Sequence, residues 1–166
     1  MPTDTIYGLV GSAFSKKAVE RICKVRKRDR KKPFIILISS LDDLKGFGVE
    51  LESRHKSILK KLWLDASIGA VSVIFPTSDK QNATSKKFKY LHRGTKTIAS
   101  RLPKTRWMRN FLKKTGPLVA PSANLAGHPP ARTIKEARKY FGDRVDFYLD
   151  GGRIIGKPSV LLEVKR

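Results

Sequence analysis

The sequence predicts an α/β fold, a sheet with helices packed on it. Three observations lead there. Short apolar runs, 33–39 and 70–76, have the length of buried strands. Other segments repeat apolar residues at i, i+3 and i+4, the spacing of one helical face. The two kinds alternate along 166 residues with no internal repeat and no long linker, as in a single domain built around one core.

The elements follow in order. KKAVERICKVRKR, 16–28, predicts a helix with Val19, Ile22 and Cys23 on its apolar stripe and Ser15 as N-cap. PFIILIS, 33–39, is a continuous apolar run and predicts a buried strand. SRHKSILKKLW, 53–63, predicts an amphipathic helix on Ile58, Leu59 and Leu62. AVSVIFP, 70–76, predicts a strand. Residues 77–95 are rich in Lys, Ser and Thr and predict a loop. TIASRLP, 97–103, predicts a strand ended by Pro103. TRWMRNFLKKTGP predicts a helix presenting Trp107, Met108, Phe111 and Leu112, stopped by Gly116 and Pro117. PLVAPSAN, 117–124, predicts a short strand feeding a turn. Thr133 and Glu136 have capping-box spacing ahead of a helix that Gly142 ends. VDFYLDGG and PSVLLEV predict the last strands.

Charge narrows the function classes. Thirty-six Lys and Arg face fourteen Asp and Glu, a net charge of +22. An excess of this size repels itself and attracts polyanions such as RNA, DNA or nucleotide phosphates. No apolar run approaches the roughly 20 residues that cross a bilayer. Residues 1–14 lack a basic leader followed by an apolar stretch. The single cysteine, Cys23, cannot form an internal disulfide, which fits a reducing, cytoplasmic setting.

Local clusters sharpen this. KVRKRDRKK, 24–32, holds seven cations and one acid between a helix end and a buried strand. Part of that charge suits a helix C-terminus. The rest has the density of a phosphate clamp or an RNA contact, with Lys16, Lys17, Arg21, Lys24, Lys27, Arg30 and Lys31 as candidates. PSAN, 121–124, puts a hydroxyl and an amide at the C-terminal end of a predicted strand, where open α/β sheets hold ligands. The ordinary alternative is a Ser/Asn turn. Asp150-Gly151-Gly152 is most simply a turn. His55, His92 and His128 share no metal-ligand spacing, so no metal site is expected. No P-loop, dinucleotide fingerprint or nucleophile triad is present, so no catalytic nucleophile is assigned. An enzyme of this composition would act by positioning reactants and screening charge.

PTDTIYGL (2–9), the Arg26-Lys27-Arg28 segment with Lys32-Pro33, GAVSVIF, TIASRLP, APSANLAG and the DGGR…PSVLLEV end occur in this order. In that arrangement the chain resembles the YrdC family, the threonylcarbamoyl-AMP synthases. The resemblance spans nearly the whole sequence. It implies a twisted, mostly mixed open sheet with a concave basic face. It implies a reaction that joins L-threonine, bicarbonate and ATP into threonylcarbamoyl-AMP and pyrophosphate, with Mg²⁺ accompanying the ATP. The product serves threonylcarbamoyladenosine formation on tRNA, through a downstream threonylcarbamoyl-transferase complex. An alternative is a module that binds tRNA or double-stranded RNA with catalysis weak or lost.

Residue roles come from the same resemblance. Thr3, Tyr7, Thr97, Arg101, Ala120 and Ser159 would surround the threonine. Arg26, Arg28, Lys32, Ser122, Asn124 and Pro130 would meet ATP. The sequence departs from the family at Arg26, where a lysine is usual. It also departs at Ile68–Ser72, where two prolines are lost, and at Val160, where a threonine is lost. Family members carry a helix and a strand ahead of the PTDT block, and often an Arg-x-Gly motif after the last strand. The expectation is therefore a chain shortened at both ends, with a sheet edge left unpaired where the leading strand would lie.

Overall fold

The computed structural model describes residues 1–27, 29, 31–77 and 86–164. Among them the elements run β1 (Gly11–Ser12), α1 (Lys16–Arg26), β2 (Ile35–Leu37), a 3₁₀ turn (Leu41–Phe47), α2 (Ser53–Leu64) and β3 (Val71–Pro76). Then come α3 (Lys89–His92), β4 (Thr97–Arg101), α4 (Arg106–Thr115), β5 (Leu118–Val119), α5 (Ile134–Phe141), a 3₁₀ turn (Gly142–Arg144) and β6 (Val160–Glu163).

The strands form one six-stranded mixed sheet in the order β1-β5-β2-β4-β3-β6. The β2/β4 and β3/β6 pairs are parallel, while β1/β5, β2/β5 and β3/β4 are antiparallel. Side chains alternate across the pleat, so each strand serves both faces. Ile36, Val73, Phe75, Ile98 and Val119 join Val19, Ile22, Phe34, Leu59 and Trp63 in the largest core. On the other face Leu37 and Leu118 pack on Met108 and Leu112 of α4. Helix α4 covers only one end of that face. The rest of it forms the floor of a cleft.

Several local outcomes differ from the sequence expectation. Helix α1 stops at Arg26 because Lys27 adopts φ 52°, a left-handed cap whose N–H bonds to the carbonyls of Cys23 and Lys24. On α2 the buried residues are Leu59 and Trp63, while Ile58 is 62% exposed. Trp63 anchors that helix by donating its indole N–H to the Val71 carbonyl at 2.9 Å. The segment expected as a loop contains α3, and Phe88, Tyr90 and Leu91 are buried in the main core. Residues 78–85 of that expectation lie outside the described residues. No strand forms over VDFYLDGG, where Phe147 is 71% exposed. Only half of the capping box closes. Thr133 Oγ1 accepts the Glu136 N–H at 3.2 Å, but Glu136 accepts from the Arg132 N–H at 2.7 Å. The sheet edges are β1 and β6, and on β6 Val160, Leu161 and Leu162 are all exposed.

Candidate active site

The cleft on the open sheet face has about 1210 Å³ of free space counted out to its mouth. Its floor is Ile35, Ile74, Thr97, Ala99, Arg101 and Ala120. Thr5 and Ile6 close it from the N-terminal turn, Pro158 and Ser159 from the approach to β6. Pro33, Ser122 and Pro130 form the remaining rim. The lining is mostly apolar with few polar groups, the character of a small-molecule site.

Arg101 dominates it. The side chain is 7% exposed and ends β4. Its Nη2 donates to Asp4 Oδ1 at 2.9 Å and to Thr5 Oγ1 at 3.3 Å, and its Nη1 donates to Ser159 Oγ at 3.1 Å. Ser159 Oγ also lies 2.8 Å from Ser72 Oγ. Burial pulls the Arg101 guanidinium below its usual range, and the Asp4 carboxylate opposes that pull. Two buried atoms of this ion pair, Arg101 Nε and Asp4 Oδ2, have no hydrogen-bond partner.

The PTDT turn is held from within. Thr3 Oγ1 donates to the Ile6 carbonyl at 2.6 Å and accepts weakly from the Thr5 and Ile6 N–H groups at 3.3 and 3.4 Å. Thr3 therefore shapes the turn, while its neighbours Thr5 and Ile6 face the cleft. Tyr7 is fully buried and is not among the lining residues. Its hydroxyl donates to the Gly152 carbonyl at 2.7 Å and accepts from the Gly151 N–H at 2.9 Å. The expectation that Tyr7 walls the pocket is corrected. The ring pins the Asp150–Gly152 turn to the N-terminal block, and burial raises its hydroxyl above the usual tyrosine range.

The second correction concerns Arg26. It is 4% exposed, at the end of α1. Its Nε donates to the Asn124 carbonyl at 3.0 Å, and its Nη2 donates to Asn124 Oδ1 at 2.8 Å and to Ser122 Oγ at 3.1 Å. Ser122 Oγ in turn donates to Asn124 Oδ1 at 2.6 Å. Asn124 Nδ2 donates to the Leu125 and His128 carbonyls at 2.9 and 2.7 Å. The guanidinium thus organises the PSAN turn in place of reaching for phosphate as a mobile clamp. Ser122 stays on the cleft wall, whereas Asn124 is the interior brace of the turn.

Lys32 is exposed beside the rim residue Pro33. Arg28 and Arg30 lie outside the described residues. Lys16, Lys17, Lys24, Lys27 and Lys31 are exposed. Arg21 is not a free cation, since it donates to both oxygens of Asp146 at 2.9 and 3.0 Å and to the Arg144 carbonyl at 3.0 Å. Sequence reasoning missed Asp4, Thr5 and Ser72. Asp4 stood in the PTDT block, but nothing in the spacing showed that an acid there would meet an arginine 97 residues away. No group of three or more His, Cys, Asp or Glu is placed to hold a metal among the described residues. No helix is long and apolar enough to cross a membrane, again among the described residues.

Comparison with known proteins fits this geometry. The threonylcarbamoyl-AMP synthase of Pyrococcus abyssi is 27% identical over 165 residues, covering 98% of this chain and 46% of that protein. The threonylcarbamoyl-AMP synthase of Bacillus subtilis is 29% identical over 163 residues, covering 97% and 44%. The chain therefore spans less than half the length of these two relatives. The crystal structure of P. abyssi Sua5 complexed with L-threonine superposes with a TM-score of 0.81 at 26% identity, over 98% of this chain and 46% of that one. The structure of Escherichia coli YciO shares the fold, with a TM-score of 0.74 at 23% identity. The family model Sua5/YciO/YrdC, described as "Telomere recombination", matches residues 1–166, and the chain belongs to that family.

Proposed function

We propose that this chain forms threonylcarbamoyl-AMP and pyrophosphate from L-threonine, bicarbonate and ATP. The observation that carries the reading is the buried Arg101 guanidinium on the floor of a cleft, bonded to the hydroxyls of Thr5 and Ser159, with Thr97 lining the same floor further along β4. A planar fork of donors in a desolvated site suits a carboxylate. The hydroxyls suit a polar β-substituent. The relative solved with L-threonine bound has the same fold over nearly the whole chain.

The chemistry asks for proximity. The threonine amine, neutral and held near bicarbonate, forms a carbamate with loss of water. A carbamate oxygen then attacks the α-phosphorus, and pyrophosphate leaves on the opposite side. Threonine would lie along Thr97, Arg101, Ala120 and Ser159. The nucleotide would lie toward Ser122 and Pro130, with Lys32 and the cationic segment around Arg28 screening the phosphates. Arg26 and Asn124 would keep the PSAN wall in place. Mg²⁺ would enter on the triphosphate, because the described residues offer it no carboxylate cluster. The product would pass to tRNA in the cytoplasm, through a transferase complex that recognises it.

The test is pyrophosphate release measured with each substrate omitted in turn. Release that requires threonine, bicarbonate and ATP together is expected. Release that ignores threonine defeats the proposal for this chain and leaves the RNA-binding alternative.

A further inference from the structure

Helix α4 lies on the same face of the sheet as the cleft, beyond Arg101. Leu37, which pairs with Arg101 across β2 and β4, packs on Met108 and Leu112 of the helix. Its outer face carries Arg106, Trp107, Asn110, Lys113 and Lys114, all exposed. These positions are spaced as one helical stripe. Segment 104–116 contains no acidic residue.

The stripe is not explained by stability. Lys113 and Lys114 suit the C-terminal end of the helix, but Arg106 sits in the first turn, where the helix dipole disfavours a cation. Its two cationic neighbours are occupied. Arg109 donates to the Pro103 and Lys104 carbonyls at 2.8 and 2.5 Å, and Lys104 donates to the Asp65 and Ile68 carbonyls. Among the described residues, Arg106, Lys113 and Lys114 have no side-chain hydrogen bond or ion pair. Trp107 is 43% exposed, and its indole N–H has no partner among the described residues, unlike that of the buried Trp63.

We propose that this stripe is a docking site for single-stranded nucleic acid, with Trp107 stacking on an unpaired base and Arg106, Lys113 and Lys114 holding the flanking phosphates. The charge complementarity is one-sided and unscreened by any acid of the helix. Arg106 and Lys113 lie about 10 Å apart along the axis at 1.5 Å per residue, the run of about three stacked nucleotides at 3.4 Å each. Aromatic stacking together with cations along a backbone is the physical basis of single-strand binding. The inference stands apart from the cleft chemistry.

The experiment titrates the full chain with a short, labelled single-stranded oligoribonucleotide of mixed sequence, followed by anisotropy and by tryptophan fluorescence. Binding should quench the fluorescence. Trp107→Ala should weaken binding by about 5- to 150-fold, and Trp107→Phe should recover part of the loss. The triple change Arg106→Gln, Lys113→Gln, Lys114→Gln should flatten the log–log salt slope by about 2, at about 0.7 per phosphate. A charge-matched triple on α2, Lys56→Gln, Lys60→Gln, Lys61→Gln, should change it less. The deoxyribose oligonucleotide shows which sugar fits better, and either ranking upholds a single-strand site. Equal effects of the two triples, no effect of Trp107→Ala, or quenching by phosphatidylserine vesicles but not by the oligonucleotide would each overturn the proposal.

Discussion

Replacing Arg26 by alanine separates two roles that look alike in sequence. As a solvated phosphate clamp, Arg26 could be removed with little effect on folding and a large effect on ATP. The structure instead buries it, with three hydrogen bonds to the PSAN turn. Charge-assisted bonds contribute about 1.5–3 kcal/mol each. They share acceptors here, and the Ser122–Asn124 bond survives the change, so the losses are not additive. A total near 3 kcal/mol is the reasonable sum. In a domain of this size each kcal/mol shifts Tm by about 2–4 °C, giving a fall of about 6–12 °C. Arg26→Lys keeps the charge but not the fork and should recover less than half. Thermal denaturation by circular dichroism, alongside KM for ATP, is the assay. A melting temperature within about 2 °C of the parent, on the same scale, together with a raised ATP requirement, would show the clamp reading correct and the brace reading mistaken.

Three further outcomes are expected. Arg101→Ala should raise KM for threonine by about 10- to 100-fold and KM for ATP by much less, because a carboxylate loses a charged, buried donor pair; equal effects on both substrates in steady-state kinetics would contradict the placement of threonine. Gly156→Ala sets a Cβ onto the Thr5 carbonyl oxygen, so the 151–158 segment must lift off the PTDT turn; denaturant titration should show about 1–3 kcal/mol of destabilisation. Gly69→Ala, where a Cβ meets open space, is the neutral control. The Met1 ammonium is pulled by burial from 8.0 to about 6. Between those values the unfolded chain binds more protons, so stability should rise by about 1–2 kcal/mol from pH 6 to pH 8 and be flat in this respect outside that window. Acetylating that amine should abolish the rise in a pH series of denaturant titrations.

The sheet was legible because its strands are apolar enough to be strands anywhere. PFIILIS and AVSVIFP would bury themselves in most folds, and their order with the helices fixed the class. Arg101 and Ser159 were legible through the family resemblance, and the structure brings them into one cleft. What escaped was partner choice at long range. Arg26 reads as surface charge among six other cations, yet it folds inward because Ser122 and Asn124, 96 and 98 residues later, supply acceptors. Tyr7 reads as a pocket aromatic, yet its hydroxyl is spent on Gly151 and Gly152. Phe88, Tyr90 and Leu91 were hidden by the lysines around them. Short helices bury apolar residues without giving a periodic signal long enough to detect.

The Arg101–Asp4 pair bears on function more than on stability. A buried ion pair must recover the desolvation of two charges, and replacing one with packed apolar residues is often neutral or favourable to folding. This pair is also incomplete, since Arg101 Nε and Asp4 Oδ2 are buried without partners. Folding alone gives no reason to keep such an arrangement on the floor of an open cleft. Recognition does. In the proposed function the guanidinium on the cleft floor meets the amino acid's carboxylate, and Asp4 holds it in place. The pair is also bounded by both ends of the chain, with Thr5 on one side and Ser159 on the other. The Tyr7 hydroxyl and the close fit of Gly156 against Thr5 hold those ends together. In the proposed function, specificity for the amino acid would reside in contacts that span about 150 residues, which is why no local stretch of the sequence contains it.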